Sequence, residues 1–300
     1  MINFVKFWKL GNIFSLFLII LSIFLLFTKE LNYGIDFTGG VLIEIASNSE
    51  IRKENIFSIS QKFNEKSIKH VLQKDGINGL IIKLQSFDST QQEVIEKSKS
   101  IINSEFSPVE YGKIDFIGAQ ISKEFFSKSC MALGIALLGI MIYLLVRFDL
   151  RFAIAGIIGL AHDVIITLGF IAFFKIEINM ITVTALLTII GYSINDSVII
   201  FDRIREIFNL HNDHSTRENI NLALNNTLKR TLFTSLTTLF SAGALIIFGG
   251  ANLHSFSYVV FFGILIGTYS SIFIASQMID LLPNIKNKTI TNRKNIYQNE

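Results

Sequence analysis

The fold turns on Thr184-Ala-Leu-Leu-Thr-Ile-Ile-Gly-Tyr-Ser-Ile-Asn-Asp-Ser-Val-Ile-Ile-Phe-Asp-Arg-Ile-Arg-Glu206. From Thr184 to Phe201 the run is apolar and close to the roughly 20 residues a helix needs to cross the hydrocarbon core of a bilayer. It closes on the charged sequence from Asp202 to Glu206, and about six residues, or 9 Å, before that end it holds Asn195 and Asp196. A carboxylate at such a depth costs several kcal/mol unless it is paired or hydrated. The stretch is thus a membrane span that carries a chemical group.

Apolar runs of similar length lie on both sides of it. Gly11 to Phe27, Ser129 to Val146, Phe152 to Phe174, Ile178 to Phe201, Thr231 to Phe248 and Phe256 to Leu282 predict a six-transmembrane-helix bundle. Basic residues near span ends stay in the cytoplasm. Lys6 and Lys9 precede the first span, and Arg147 and Arg151 bracket the turn between the second and third. Arg203, Arg205, Arg217, Lys229 and Arg230 fall between the fourth and fifth, and Lys286, Lys288, Arg293 and Lys294 lie in the tail. The opposite connections hold only Lys175 with Glu177, and the uncharged turn Gly249 to Ser255. Every connection gives the same orientation, with both termini cytoplasmic and residues 31–128 outside. The domain plan is residues 1–30 for the tail and first span, 31–128 for an outer domain, 129–282 for spans two to six, and 283–300 for a cytoplasmic tail.

Composition agrees with a chain whose main solvent is lipid. Half of the 300 residues are apolar and 17% are charged, with a net charge of +3, and no basic patch suggests nucleic-acid binding. The first run ends in Thr28-Lys29-Glu30 without a small-residue cleavage site and reads as an uncleaved signal anchor. Cys130 is the single cysteine, so no internal disulfide forms, and it is expected to pack as a small hydrophobe.

In the outer segment, Val41 to Ala46, Ile68 to Leu72, Gly79 to Leu84 and Val109 to Ile117 read as strands. Ile51 to Lys66 and Thr90 to Phe106 read as helices, and Asp75-Gly76 as a hairpin turn. The order βαββαβ is the ferredoxin-like, split βαβ arrangement, an α+β domain. Gly34-Ile-Asp-Phe-Thr-Gly-Gly40 joins it to the first span, with Asp36 read as a turn residue and Gly34, Gly39 and Gly40 as the means of a tight turn.

Charged and polar groups inside spans mark pathways, relays or packing contacts. His162-Asp163 lies near the middle of span three, about 15 Å from its cytoplasmic start. Spans three and four are antiparallel neighbours, which brings that level toward Asp196, while Arg230 opens span five on the same side. An arginine favours an ionised carboxylate and burial the neutral acid, and a relay group needs the two near balance. The proton-pathway candidates are Asp196, Arg230, Asn195, Asp163 and His162. The bland alternatives are interhelical hydrogen bonds and, for Arg230, a topology anchor. Asp280 reads as interfacial. Gly263 and Gly267 form a GxxxG on span six, Gly156 and Gly159 lie on span three, and Gly134 and Gly139 on span two, all read as permitting close helix packing. A hydrolase built on His162 and Asp163 lacks a nucleophile or a metal-ligand set at the required spacing, so no enzyme, metal site or cofactor is expected, only protons as coupling ion.

Four motifs together resemble the SecD/SecF family of bacterial protein-translocase subunits, within the resistance-nodulation-division superfamily. They are Tyr33 to Ile45, Arg147 to Gly169, Thr184 to Glu206 with Gly191, Asp202 and Arg203 in its pattern, and Leu228 to Leu239. The resemblance implies a multi-pass inner-membrane subunit with a periplasmic domain at residues 31–128. Such a subunit pairs with SecD and joins the SecYEG channel, with SecA and YajC as further partners beside membrane lipid and the translocating preprotein. It also implies use of the proton motive force in preprotein translocation, with Asp196 and Arg230 in the positions implicated in proton passage. A small-solute, proton-driven exporter of the same superfamily is the alternative reading. One six-span unit is half of what such paired-repeat transporters use.

Overall fold

The computed structural model describes residues 1–47, 58, 68–74, 79–85, 91–106, 108–210 and 214–282. Six of its helices are long and apolar enough to cross a membrane. The first is α1 (Phe4–Thr28), started by Asn3, whose side chain accepts from Lys6 N. A one-turn helix α2 (Ile35–Thr38) leads into β1 (Gly40–Ser47). Then come β2 (Ile68–Lys74), β3 (Gly79–Gln85), α3 (Gln91–Glu105) and β4 (Val109–Ile117). The sheet is fully antiparallel in the order β2-β3-β1-β4. That order, with the fourth strand beside the first, is the split βαβ arrangement; apart from Ser58, the helix read at Ile51 to Lys66 lies outside the described residues, as does the turn at Asp75-Gly76. The period of two drives it: Val41, Ile43 and Ile45 of β1 and Leu80, Ile82 and Leu84 of β3 share one face and bury against Ile102 of α3 and Phe106 just beyond it.

The other spans are α4 (Ala119–Arg147), α5 (Leu150–Phe173), α6 (Met180–Leu210), α7 (Thr216–Phe248) and the sixth, made of α8 (Ala251–Ser270), a π turn (Ser271–Ala275) and α9 (Ser276–Leu281). Spans three, four and six form the interior of the bundle, and spans one, two and five expose most of their apolar surface. Gly263 and Gly267 let span six lie against Ile189 and Ser193 of α6, and Gly156 and Gly159 sit against Leu144 and Ala275. Gly134 and Gly139 face open space, so the close approach read for span two is not made there. Cys130 on the same helix is exposed rather than packed.

Two helices extend beyond the apolar runs that announce them. Helix α4 starts at Ala119, directly after β4, ahead of Ser129. Helix α7 starts at Thr216 behind a Ser215–Glu218 capping box and runs 33 residues, so Lys229 and Arg230 lie inside a continuous helix rather than at its opening. Its polar first half holds the amino terminus: Asn221 Oδ1 accepts from Phe4 N, and Asn225 both accepts from Ile2 N and donates to Ile2 O, each at 2.8 Å. Asp280 pairs with Arg217 at 2.9 Å. Asp202 accepts from Arg147 Nη2 on both oxygens, at 2.7 and 2.8 Å, which fastens span two to span four, and also from Arg205 of its own helix. Arg203 pairs with Glu206 one turn on.

The Gly34–Gly40 segment is more than a turn. Gly39 and Gly40 have φ of +74° and +153°, backbone that side chains rarely adopt, and a Cβ on Gly40 would meet the carbonyl oxygen of Leu84. Phe37 and Tyr33 pack edge-on against Phe126 of α4. Gly34 N donates to Ile178 O and Ile178 N to Asn32 O, a short bridge between this segment and the turn before α6. Asp36, read from sequence as a turn residue, instead accepts from Met180 N at 2.9 Å, across 144 residues, and caps the start of α6.

Candidate functional site

Asp196 is fully buried where spans four, five and six meet. Its helix places Ser193, Asp196 and Ser197 on one inward face, at the i, i+3, i+4 spacing of neighbours on a helix surface. One carboxylate oxygen, Oδ2, accepts from Ser235 of α7 at 3.3 Å; Oδ1 has no hydrogen-bond partner among the described residues. Ser235 also contacts Thr268 of α8 at 2.7 Å and Thr231 O at 2.9 Å, and Thr268 reaches Ile264 O at 2.8 Å. Two hydroxyl protons therefore serve three further oxygens, Asp196 Oδ2, Thr231 O and Ile264 O. A proton carried by Asp196 itself could be donated to Ser235, leaving the Ser235 proton for Thr231 O and the Thr268 proton for Ile264 O, with only the Ser235–Thr268 contact unfilled.

A second carboxylate lies nearby in a different condition. Asp163 Oδ2 accepts from Ser193 at 2.5 Å and from Ser270 at 2.8 Å, and Oδ1 lies 2.9 Å from His162 Nδ1. The chain continues from His162 Nε2 to Ser15 Oγ at 3.1 Å, to Tyr269 OH at 2.9 Å, and ends where that hydroxyl donates to Gly11 O at 2.7 Å. A carbonyl only accepts, so the Tyr269 proton is committed, then the Ser15 proton to Tyr269, and Nε2 must donate to Ser15. The contact to Asp163 then needs one more proton, on Nδ1 or on the carboxyl. The pattern closes for a His162–Asp163 pair that is neutral overall, whichever member holds that proton. The whole chain ties span one to spans three, four and six.

The junction of α8 with the π turn faces the Asp163 cluster and Ser197. Ser270 and Ser271 are consecutive, yet both face inward, Ser270 to Asp163 and Ser271 to Ser197 Oγ at 2.9 Å and Ser193 O at 3.4 Å. Neighbours on a regular helix point about 100° apart, and a widened turn relaxes that spacing.

Of the residues singled out by sequence, the structure joins His162 to Asp163 and sets Asp163 against Ser193, one turn from Asp196, not against Asp196 itself. Arg230 is exposed and makes no hydrogen bond or ion pair with Asp196. Asn195, adjacent to Asp196 in sequence, is exposed on another face, in line with Thr184, Thr188 and Gly191, and takes no part in the Asp196 cluster. The sequence reading missed Ser15, Ser193, Ser235, Thr268, Tyr269 and Ser270. Only the inward spacing of Ser193 and Ser197 around Asp196 signals any of them. No group of acidic, histidine or cysteine side chains fit to hold a metal occurs among the described residues.

Comparison with known proteins places these features in a lineage. Residues 24–49 match the family model described as the SecD/SecF GG motif, and residues 97–284 that of the protein export membrane protein SecD/SecF, C-terminal. The protein translocase subunits SecF of Rickettsia rickettsii (strain Sheila Smith) and Rickettsia prowazekii (strain Madrid E) are 38% and 39% identical, each match covering 97% of this chain and 95% of the relative. Among solved structures, SecDF of Thermus thermophilus, a translocon-associated membrane protein, superposes with a TM-score of 0.81 at 33% identity over 93% of this chain. A SecDF crystal structure in a super-membrane-facing form gives 0.68 at 31% identity over 99%. The chain spans 38% and 40% of the length of those two SecDF chains.

Proposed function

The chain belongs to the SecD/SecF family, as an accessory membrane subunit of Sec protein export, and we propose that it uses the proton motive force to promote preprotein translocation across the bacterial inner membrane. The observation that carries the proton reading is Asp196: a carboxylate with no exposure, one oxygen unpartnered, and a hydroxyl cluster short of a proton. Such a group can take up a proton and give it back with small movements of Ser235 and Thr268. Arg230 sits one position before Thr231 on the helix that carries Ser235, and its exposed guanidinium, without an ion pair among the described residues, is available to an ionised Asp196 after a rotation of its side chain. Both termini are assigned to the cytoplasm and the sheet domain to the periplasm, on the distribution of Lys and Arg between the connections. The SecYEG channel, SecA and YajC are the further partners of this reading.

A SecD chain completes the assembly. Thr184, Thr188, Gly191 and Asn195 form one exposed stripe along α6, polar and small where lipid would favour neither, and a Cβ on Gly191 meets nothing within 4 Å. That stripe is assigned to the SecD contact. Gly191→Trp is expected to leave the isolated chain folded and inserted but to cut co-purification with SecD at least tenfold; full recovery of SecD would move the contact elsewhere.

The function is tested in vesicles carrying the complete complex and an arrested preprotein. Release is expected to accelerate with an imposed proton gradient and to return, on adding a protonophore, to the rate without the subunit. Release that ignores the protonophore would remove the proton role, and normal export with unchanged solute tolerance in a deletion strain would remove the export role.

A further inference from the structure

The start of α6 is gripped by the sheet domain from two independent sides. Asp36 accepts from Met180 N at 2.9 Å, the first residue of the helix, where a carboxylate is favoured by the unpaired amides. Two residues before that helix's own cap, Glu177 meets Lys83 of β3 in an ion pair of 2.5 Å whose side chains are 10% and 13% exposed. Glu177 also lies so close to Gly34 that a Cβ there would strike its carboxylate, so the glycine is needed for the ion pair to form where it does. Between the two grips, Ile178 is bridged by backbone hydrogen bonds to Asn32 and Gly34, and Asn179 caps the helix through Thr182 N at 2.9 Å. The helix so held is the one that carries Asp196, about 24 Å further along its axis. It is continuous over 31 residues, with no break between the grip and the carboxylate.

We propose that Asp36 and the Lys83–Glu177 ion pair act as positioning residues that couple the sheet domain to the Asp196 helix, so that a displacement of either is delivered to the other. An ordinary domain contact would touch any loop. This one takes hold of the end of the single helix that bears the buried carboxylate, with a charged cap and a nearly dry ion pair, and it uses residues on both the linker and the sheet. Severing it leaves proton uptake at Asp196 possible and removes its transmission.

The proposal rests on the proton reading, and the test separates the two. The full complex is reconstituted in vesicles, with preprotein release and proton permeation, the latter by an internal pH dye, measured together for six variants. Asp36→Ala, Lys83→Glu and Glu177→Lys are each expected to lower gradient-dependent release about tenfold while proton permeation stays within about twofold of the parent. The double exchange Lys83→Glu with Glu177→Lys restores the opposite charges and is expected to recover release to within about twofold. Asp196→Asn is expected to lose both readouts. As a control for folding, Asp36→Asn keeps an acceptor for Met180 N and is expected to behave as the parent. Parent-like release in the three single variants, or a double exchange that folds as the single variants do yet releases no better, overturns the coupling. Release that survives in Asp196→Asn overturns the proton reading instead, whatever the coupling variants do.

Discussion

Asp196→Asn is expected to reduce gradient-dependent preprotein release to the level seen with a protonophore, with the variant inserted, folded and associated with SecD in parental amounts. The amide is nearly the same size, and its carbonyl can accept from Ser235 as Oδ2 does at 3.3 Å, so packing among spans four, five and six is preserved. What disappears is the capacity to bind and release a proton. The expected stability cost is about 1–3 kcal/mol, because no cavity is made but the amide nitrogen takes the place of Oδ1, which has no hydrogen-bond partner among the described residues. Release and thermal midpoint are measured on the same preparation. Parental release from a well-folded variant would show that proton traffic does not pass through this carboxylate.

The second large effect separates fold from charge at Asp163. Asp163→Leu strips Ser193 and Ser270 of their acceptor and His162 Nδ1 of its hydrogen-bond partner in a buried site. A loss of about 3–5 kcal/mol is expected, read as a collapse of the thermal midpoint and of membrane accumulation. Asp163→Asn should differ sharply. Its carbonyl can accept from the two serines while its amide donates to Nδ1, and a neutral His162 protonated on Nε2 then continues through Ser15 and Tyr269 to Gly11 O with every contact filled. The Asn variant is therefore expected to fold like the parent. If it folds and exports normally, the Asp163 cluster is packing alone; if it folds and export falls, the charge has a role in the cycle. An Asn variant as unstable as Leu would show the proton accounting to be wrong.

Much of this was legible in the chain because lipid and β-pleat leave strong periodic marks. Long apolar runs gave the spans, and Val41, Ile43 and Ile45 recurring at every second position around Glu44 gave a central strand. Asp196 stood out since a carboxylate amid isoleucines is too costly to be incidental. Its neighbours did not stand out. Ser235 belongs to a span with exposed hydroxyls that bond only to their own helix, such as Thr237 and Ser241, and hydropathy cannot separate the two uses. Asn195 was grouped with Asp196 because it is adjacent, although adjacency on a helix turns a side chain by about 100°. The polar half of α7 read as a loop because apolar runs report only the part of a helix in contact with lipid. Gly134 and Gly139 show the converse limit, since a glycine permits an approach that no helix makes here. Asp36 was misread because its partner, Met180, is 144 residues away.

The clasp between the chain's first residues and the polar half of α7 sets an order of events during synthesis. Ile2 is bonded to Asn225, which is made 223 residues later. At a synthesis rate of about 5–20 residues per second, the amino-terminal segment waits roughly 11–45 s before its partner exists. Ser15 waits longer still, for Tyr269. Span one is therefore inserted early but secured late, held meanwhile by its own hydrophobicity, and a newborn chain stopped before the fifth helix would present Phe4 and Trp8 to whatever the ribosome exit and the membrane surface offer.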